Sequence, residues 1–126
     1  MILGLPGESN MHWEESVARL SNLPLHSIKF HQLQIIKGTR MEKEFLSNPE
    51  LFKIFQLEEY LELMVELVEK MNPGIIIERI AGEVSPGKAV NKGCNLRYDQ
   101  VLTQFEAMLE EKDSWQGKLW KQKITE

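Results

Sequence analysis

The residues best suited to chemistry stand at the head of the chain and on two later apolar stretches. Met1, Ile2 and Leu3 run directly into Gly4-Leu5-Pro6-Gly7-Glu8, and a helical pattern starts right behind. An apolar run ending in a Gly/Pro turn with a helix after it reads as a βα unit, and parallel α/β folds bind ligands at the carboxyl ends of such strands. Gly4 and Gly7 remove side chains where a ligand could approach the backbone, or serve a tight turn by geometry alone; Pro6 stiffens the turn, and Glu8 offers a carboxylate at its mouth. A second set is Lys29, His31 and Glu78. Alternation puts Ile28 and Phe30 on one face of their strand and Lys29 and His31 on the other, while Glu78 interrupts the apolar run Ile75 to Ile80. A carboxylate beside cations has its ionised form favoured, and such a cluster is costly to bury unless it is paired or meets a polar ligand. The expectation is that Lys29, His31 and Glu78 point the same way. Lys37 and Arg40 flank Gly38-Thr39 and could meet a carboxylate or phosphate; ordinary surface charge is the plainer reading. Arg79 is expected toward the helices or the strand end, within reach of Glu83.

Other chemistries find no support. His12, His26 and His31 lack the spacing of zinc ligands, so no metal site is assigned. Ser85-Pro86-Gly87-Lys88 lacks the preceding glycine spacing of a P-loop. The single cysteine, Cys94, excludes an intrachain disulfide and reads most simply as a small apolar filler.

The elements that must position these residues follow from periodicity. A helix is predicted over residues 10–22, with Ser9 as its N-cap, and a strand over Ser27 to Gln34. Residues 35–56 hold the Gly38-Thr39 turn and short helical pieces around 41–46 and 50–55, broken by Ser47-Asn48-Pro49. This connection exceeds the usual ~2–6 residues and reads equally as a substrate wall or a surface packing loop. Leu57 to Met71 is the strongest helix, its apolar stripe opposed by Glu58, Glu59, Glu62, Glu66 and Glu69, and Asn72-Pro73-Gly74 ends it. Ile75 to Ile80 is the third strand and Tyr98 to Glu111 the last helix. The order β-α-β-α-β-α predicts an α/β fold built on a parallel three-stranded sheet. Residues 1–112 form the domain and 113–126 a tail, carrying Trp115 and Trp120, that packs back locally or frays.

With 126 residues, 42% apolar and 27% charged, the composition is that of one soluble globular domain at most. A net charge of −4 provides no electrostatic footprint for nucleic acid or an anionic membrane. No apolar run approaches the ~20 residues of a membrane span, and no signal-peptide pattern opens the chain. A cytoplasmic location is the default expectation.

Five stretches in order carry a family resemblance. Ile2-Leu3-Gly4-Leu5-Pro6-Gly7-Glu8 resembles the strand-turn midway through radical SAM proteins. Ile28 to Arg40, Leu57-Glu58-Glu59-Tyr60, Ile77 to Glu83 and Asp113 to Gly117 continue the likeness. Together they resemble the carboxyl half of the YhcC-like radical SAM family, often labelled Fe-S oxidoreductases. The resemblance implies a half TIM-type barrel: three parallel βα units, the last three of a six-stranded partial barrel. It further implies a parent enzyme that uses a 4Fe-4S cluster to cleave S-adenosylmethionine (SAM) reductively, yielding a 5′-deoxyadenosyl radical. This portion would supply SAM-side and substrate-side walls. The implied cofactor-side residues are Gly4, Gly7 and Glu8, with His31, Gln32 and Glu78; His31, Gln32 and Gln34 stand where the family tends to carry histidines, and only the first is one. The family's CxxxCxxC loop is absent, so the chain reads as a piece of an enzyme, inactive and without a bound cofactor by itself. Catalytic residues and substrate stay unassigned. The alternative is a standalone α/β binding or scaffold module without radical chemistry; an ordinary (βα)-barrel enzyme fits less well, for want of an anion nest. Three strands cut from a barrel leave open edges and a bare inner face, which predicts self-association.

Overall fold

The computed structural model describes residues 1–83, 88–90 and 97–121. In chain order the elements are β1 (Ile2–Leu3), α1 (Asn10–Ser21), β2 (Ser27–Lys29), β3 (His31–Gln32), α2 (Arg40–Ser47), a 3₁₀ turn (Pro49–Leu51), α3 (Leu57–Glu69), β4 (Ile76–Arg79) and α4 (Tyr98–Glu111). This is a mixed α/β fold, and every strand pair is parallel.

The strand expected over Ser27 to Gln34 is two short pieces that serve two neighbours. β2 pairs with β4 (Ser27 opposite Ile76, Ile28 opposite Ile77), and β3 pairs with β1 (Ile2 opposite His31, Leu3 opposite Gln32). The result is two two-stranded sheets in place of the predicted single three-stranded one. Backbone bonds bridge the break: Phe30 N–H donates to Arg79 O at 2.8 Å, and the Met1 amino group donates to Lys29 O at 2.7 Å. The cause lies in the register. Lys29 is opposite Arg79 where Ile28 is opposite Ile77, so Glu78 is the extra residue of a β-bulge. A bulge bends its strand and re-aims the side chains around it.

Helices line one side of these strands. Leu3, Phe30, Ile75 and Ile80 join Trp13 and Val17 of α1, seven residues of α3 and Val101 and Phe105 of α4 in one buried cluster. The α3 side chains buried there include Leu63 and Val65, beyond the stripe expected from the sequence, because α3 packs against both α1 and α4. On the opposite strand face Ile2, Lys29, Ile76 and Glu78 are exposed. A second apolar cluster of Leu33, Ile35 and Phe52, with Met41, Phe45 and Ile54 against it, gives the 35–56 connection a small core of its own.

The helix ends follow the expected chemistry. At the start of α1, Ser9 N–H donates to His12 Nδ1 at 3.0 Å, so the imidazole satisfies a terminal donor. Asn72 closes α3 by accepting from Gly74 N–H at 2.8 Å, and its own N–H donates to Ser21 Oγ, tying the ends of α1 and α3 together. The tail docks on this corner as far as it is described: Gly117 N–H donates to Val68 O and Leu119 N–H to Glu69 O, while the Gln116 amide reaches Asn72 O and Ile75 O. Cys94 and Ser85-Pro86-Gly87 lie outside the described residues. Among those described, no helix is long and apolar enough to cross a membrane.

Candidate functional site

The turn after β1 is built as its residue types demand. Gly4 and Gly7 hold φ angles of +99° and +83°, in the region that favours glycine. Their surroundings differ. Gly4 is buried, and a Cβ there would stand 3.1 Å from Lys53 O and 3.2 Å from the Phe55 ring. The close approach that Gly4 permits is therefore made by the chain's own 53–55 segment. A Cβ on Gly7 would meet nothing within 4 Å, so its flank is open, although its N–H donates to Leu51 O at 3.1 Å. Glu8 is half-buried, and one carboxylate oxygen accepts from both Leu5 N–H (3.0 Å) and the indole N–H of buried Trp13 (3.2 Å). The carboxylate is thus locked between turn and helix, a role for which Trp13 gave no signal in the sequence.

Lys29 and Glu78 come together as expected, with Nζ and Oε2 3.9 Å apart and side chains 62% and 47% exposed. His31 is half-buried on the adjoining strand piece. Ile28 and Phe30 pack into the helix-side core, which leaves Lys29 and His31 the other face by alternation. At this exposure the ion pair is weak and easily re-partnered.

Gln32 is placed differently from the other candidates. It is 5% exposed, its Nε2 donates to Gly82 O at 3.2 Å, and its Oε1 accepts from Gly82 N–H at 3.1 Å. Gln34 Nε2 reaches the same carbonyl at 3.3 Å. Two tyrosines grip the neighbouring backbone: Tyr60 Oη donates to Ile80 O, and Ile80 N–H donates to Tyr98 Oη. Nothing in the sequence signals that these two hydroxyls finish the end of β4. Arg79 stacks over the Tyr98 ring at 4.2 Å and its Nε donates to Ala81 O, whereas Glu83 accepts from the Tyr98 N–H at the start of α4. The Arg79–Glu83 contact considered from the sequence is replaced by two separate ones. Arg40 pairs with Glu44 one turn along α2, and Lys37 is exposed. The Gly38-Thr39 turn serves the helix: Thr39 Oγ1 accepts from Glu42 N–H, and Glu42 Oε1 accepts from Gly38 N–H.

Residues 25–111 match the family model of the radical SAM C-terminal domain. The chain belongs to that family. YtqA of Bacillus subtilis is 29% identical over 126 residues, covering 95% of this chain and 37% of its own length. An uncharacterized protein of Methanocaldococcus jannaschii is 25% identical over 118 residues, covering 93% of the chain and 36% of that protein. YhcC of Escherichia coli K12 is 30% identical over 81 residues, 64% of the chain and 26% of YhcC. This radical SAM C-terminal domain thus spans little more than a third of its first two relatives. Among solved structures it is similar to Elp3 of Methanocaldococcus infernus, with a TM-score of 0.71 at 18% identity over 91% of this chain and 26% of the other, a likeness of fold alone.

Family membership implies a 4Fe-4S cluster and SAM in the parent protein. The donor set of this domain does not fit the cluster: one cysteine is present where typically about three or four thiolates are needed, and the described residues hold no group of three His, Cys, Asp or Glu able to bind a metal. The residues that the resemblance sets beside SAM differ in what they leave open. Gly7 has an open flank, Lys29, His31 and Glu78 bring polar groups to the exposed strand face, and Gly4 and Gln32 are already engaged within the chain.

Proposed function

We propose that the chain forms the back half of a partial barrel in a radical SAM enzyme, its strands β1 to β4 turning the face with Lys29, His31 and Glu78 toward the reaction chamber. The supporting observation is that the family match over 25–111 coincides with parallel strands that, among the described residues, carry helices over one face. When bound, the cluster and SAM supply reductive cleavage of the cofactor and removal of a hydrogen atom from a substrate. This chain's part is to bind and orient. Gly7 gives the cofactor a side-chain-free flank, and Glu8, fixed by Leu5 and Trp13, holds the turn in shape. Lys29 and Glu78 present opposite charges that a polar substrate or the zwitterionic end of SAM would re-pair, and His31 adds an imidazole able to hydrogen-bond a ligand. The cluster thiolates come from elsewhere in the complete protein.

The test is reconstitution of the complete gene product with iron, sulfide and a low-potential reductant, followed by chromatography for 5′-deoxyadenosine. The proposal expects SAM-dependent release from the complete protein and none from the 126-residue chain. A standalone binding or scaffold module would yield none from either.

A further inference from the structure

Among the described residues, side chains bond the backbone leaving β4. A primary amide sets an N–H donor beside a C=O acceptor, as the N–H and C=O of a single extended residue do. Gln32 uses both on a single residue 50 positions away, donating to Gly82 O at 3.2 Å and accepting from Gly82 N–H at 3.1 Å. Being 5% exposed, it has little freedom to do anything else. The other end is close-packed: a Cβ on Gly82 would lie 3.1 Å from His31 Cβ and 3.6 Å from His31 Cγ. Gly82 therefore closes one flank of the His31 side chain, and Gln32 holds Gly82 there. Leucine at 32 would supply neither bond, and glutamate would set a carboxylate against the Gly82 carbonyl.

We infer that Gln32 is a positioning residue whose amide fixes Gly82 and, through it, the side chain of His31 at the rim of the strands. It follows that Gln32 does not touch a ligand directly, although its neighbour can. The consequence for turnover rests on the reading that this rim faces the reaction chamber; the contact itself does not.

Residue-assigned NMR of the 126-residue chain tests the contact. The wild type should show nuclear Overhauser effects between the Gln32 side-chain amide and Gly82 N–H, and between Gly82 and the His31 ring. Gln32→Ala should speed exchange of the Gly82 amide at least ~10-fold and abolish the Gly82–His31 effects. Gln34→Ala, which removes one shared donor, should preserve them. Absence of the Gln32–Gly82 effects in the wild type, readable even if Gln32→Ala fails to fold, would overturn the inference; so would a folded Gln32→Ala in which Gly82 and His31 are unchanged. In the complete gene product, Gln32→Ala should slow 5′-deoxyadenosine release about 10-fold, and less than about 2-fold when His31→Ala is already present. Losses that simply multiply would mean that Gln32 does not act through His31. A wild type that releases no 5′-deoxyadenosine counts against the radical SAM reading, while the NMR result still decides the role of Gln32.

Discussion

Gly4 and Gly7 are both glycines of one turn, with unequal demands on them. Alanine at position 4 must adopt φ near +99° and press against Lys53 O and Phe55, whereas alanine at 7 bears only the backbone conformation. In urea denaturation of the chain, Gly4→Ala should cost about 2–4 kcal/mol and Gly7→Ala about 1 kcal/mol. Equal losses would show that the 53–55 segment yields. Glu78 makes the opposite case: its ion pair with Lys29 spans 3.9 Å between half-exposed groups. Glu78→Gln should therefore change stability by less than ~1 kcal/mol, measured the same way, so any larger effect on turnover is a ligand effect. Tyr60 is fully buried with its hydroxyl on Ile80 O, and Tyr60→Phe should cost about 1–2 kcal/mol.

At the level of elements, the helices and the parallel strands were legible because their signals are local. The stripe from Leu57 to Met71, the stop at Asn72-Pro73-Gly74 and the β-branched run at Ile75 to Ile77 each need only neighbours in sequence to be read. The break at Phe30 was not legible, since a bulge is defined by pairing: nothing in Ile77-Glu78-Arg79 announces that Ile28 and Lys29 will face residues two apart. Lys29 and Glu78 meet as alternation along the two strands leads one to expect, whereas nothing local to Gln32 announces the bonds its amide makes to a glycine 50 residues on. The tail was left between packing and fraying. Its described part packs, and Gly117 is the reason: at φ +87° it passes so close that a Cβ would stand 2.8 Å from Pro73. Gly117→Ala should undock this segment, seen as a red shift and increased quenching of Trp115 and Trp120 fluorescence, with the far-ultraviolet circular dichroism of α3 and α4 preserved.

For the whole molecule, the described strands have helices over one face and leave Ile2 and Ile76 exposed on the other, at 39% and 54%. Bare apolar positions beside strand edges that no described strand covers favour association, so the isolated chain should run above monomer mass in light scattering at micromolar concentration. A strictly monomeric chain would remove that expectation. The radical SAM reading turns the same face toward the cofactor, and hydrogen exchange of the reconstituted complete protein with and without SAM tests it most directly. Slowed exchange on SAM binding should concentrate at Gly7-Glu8 and along Lys29 to His31 and Ile76 to Glu78, with the outer surfaces of α1 and α3 unchanged. Slowing confined to the shallow cleft between Asn10, Lys53, Glu59 and Glu66 on the helix side, with the strand face unaffected, would contradict it.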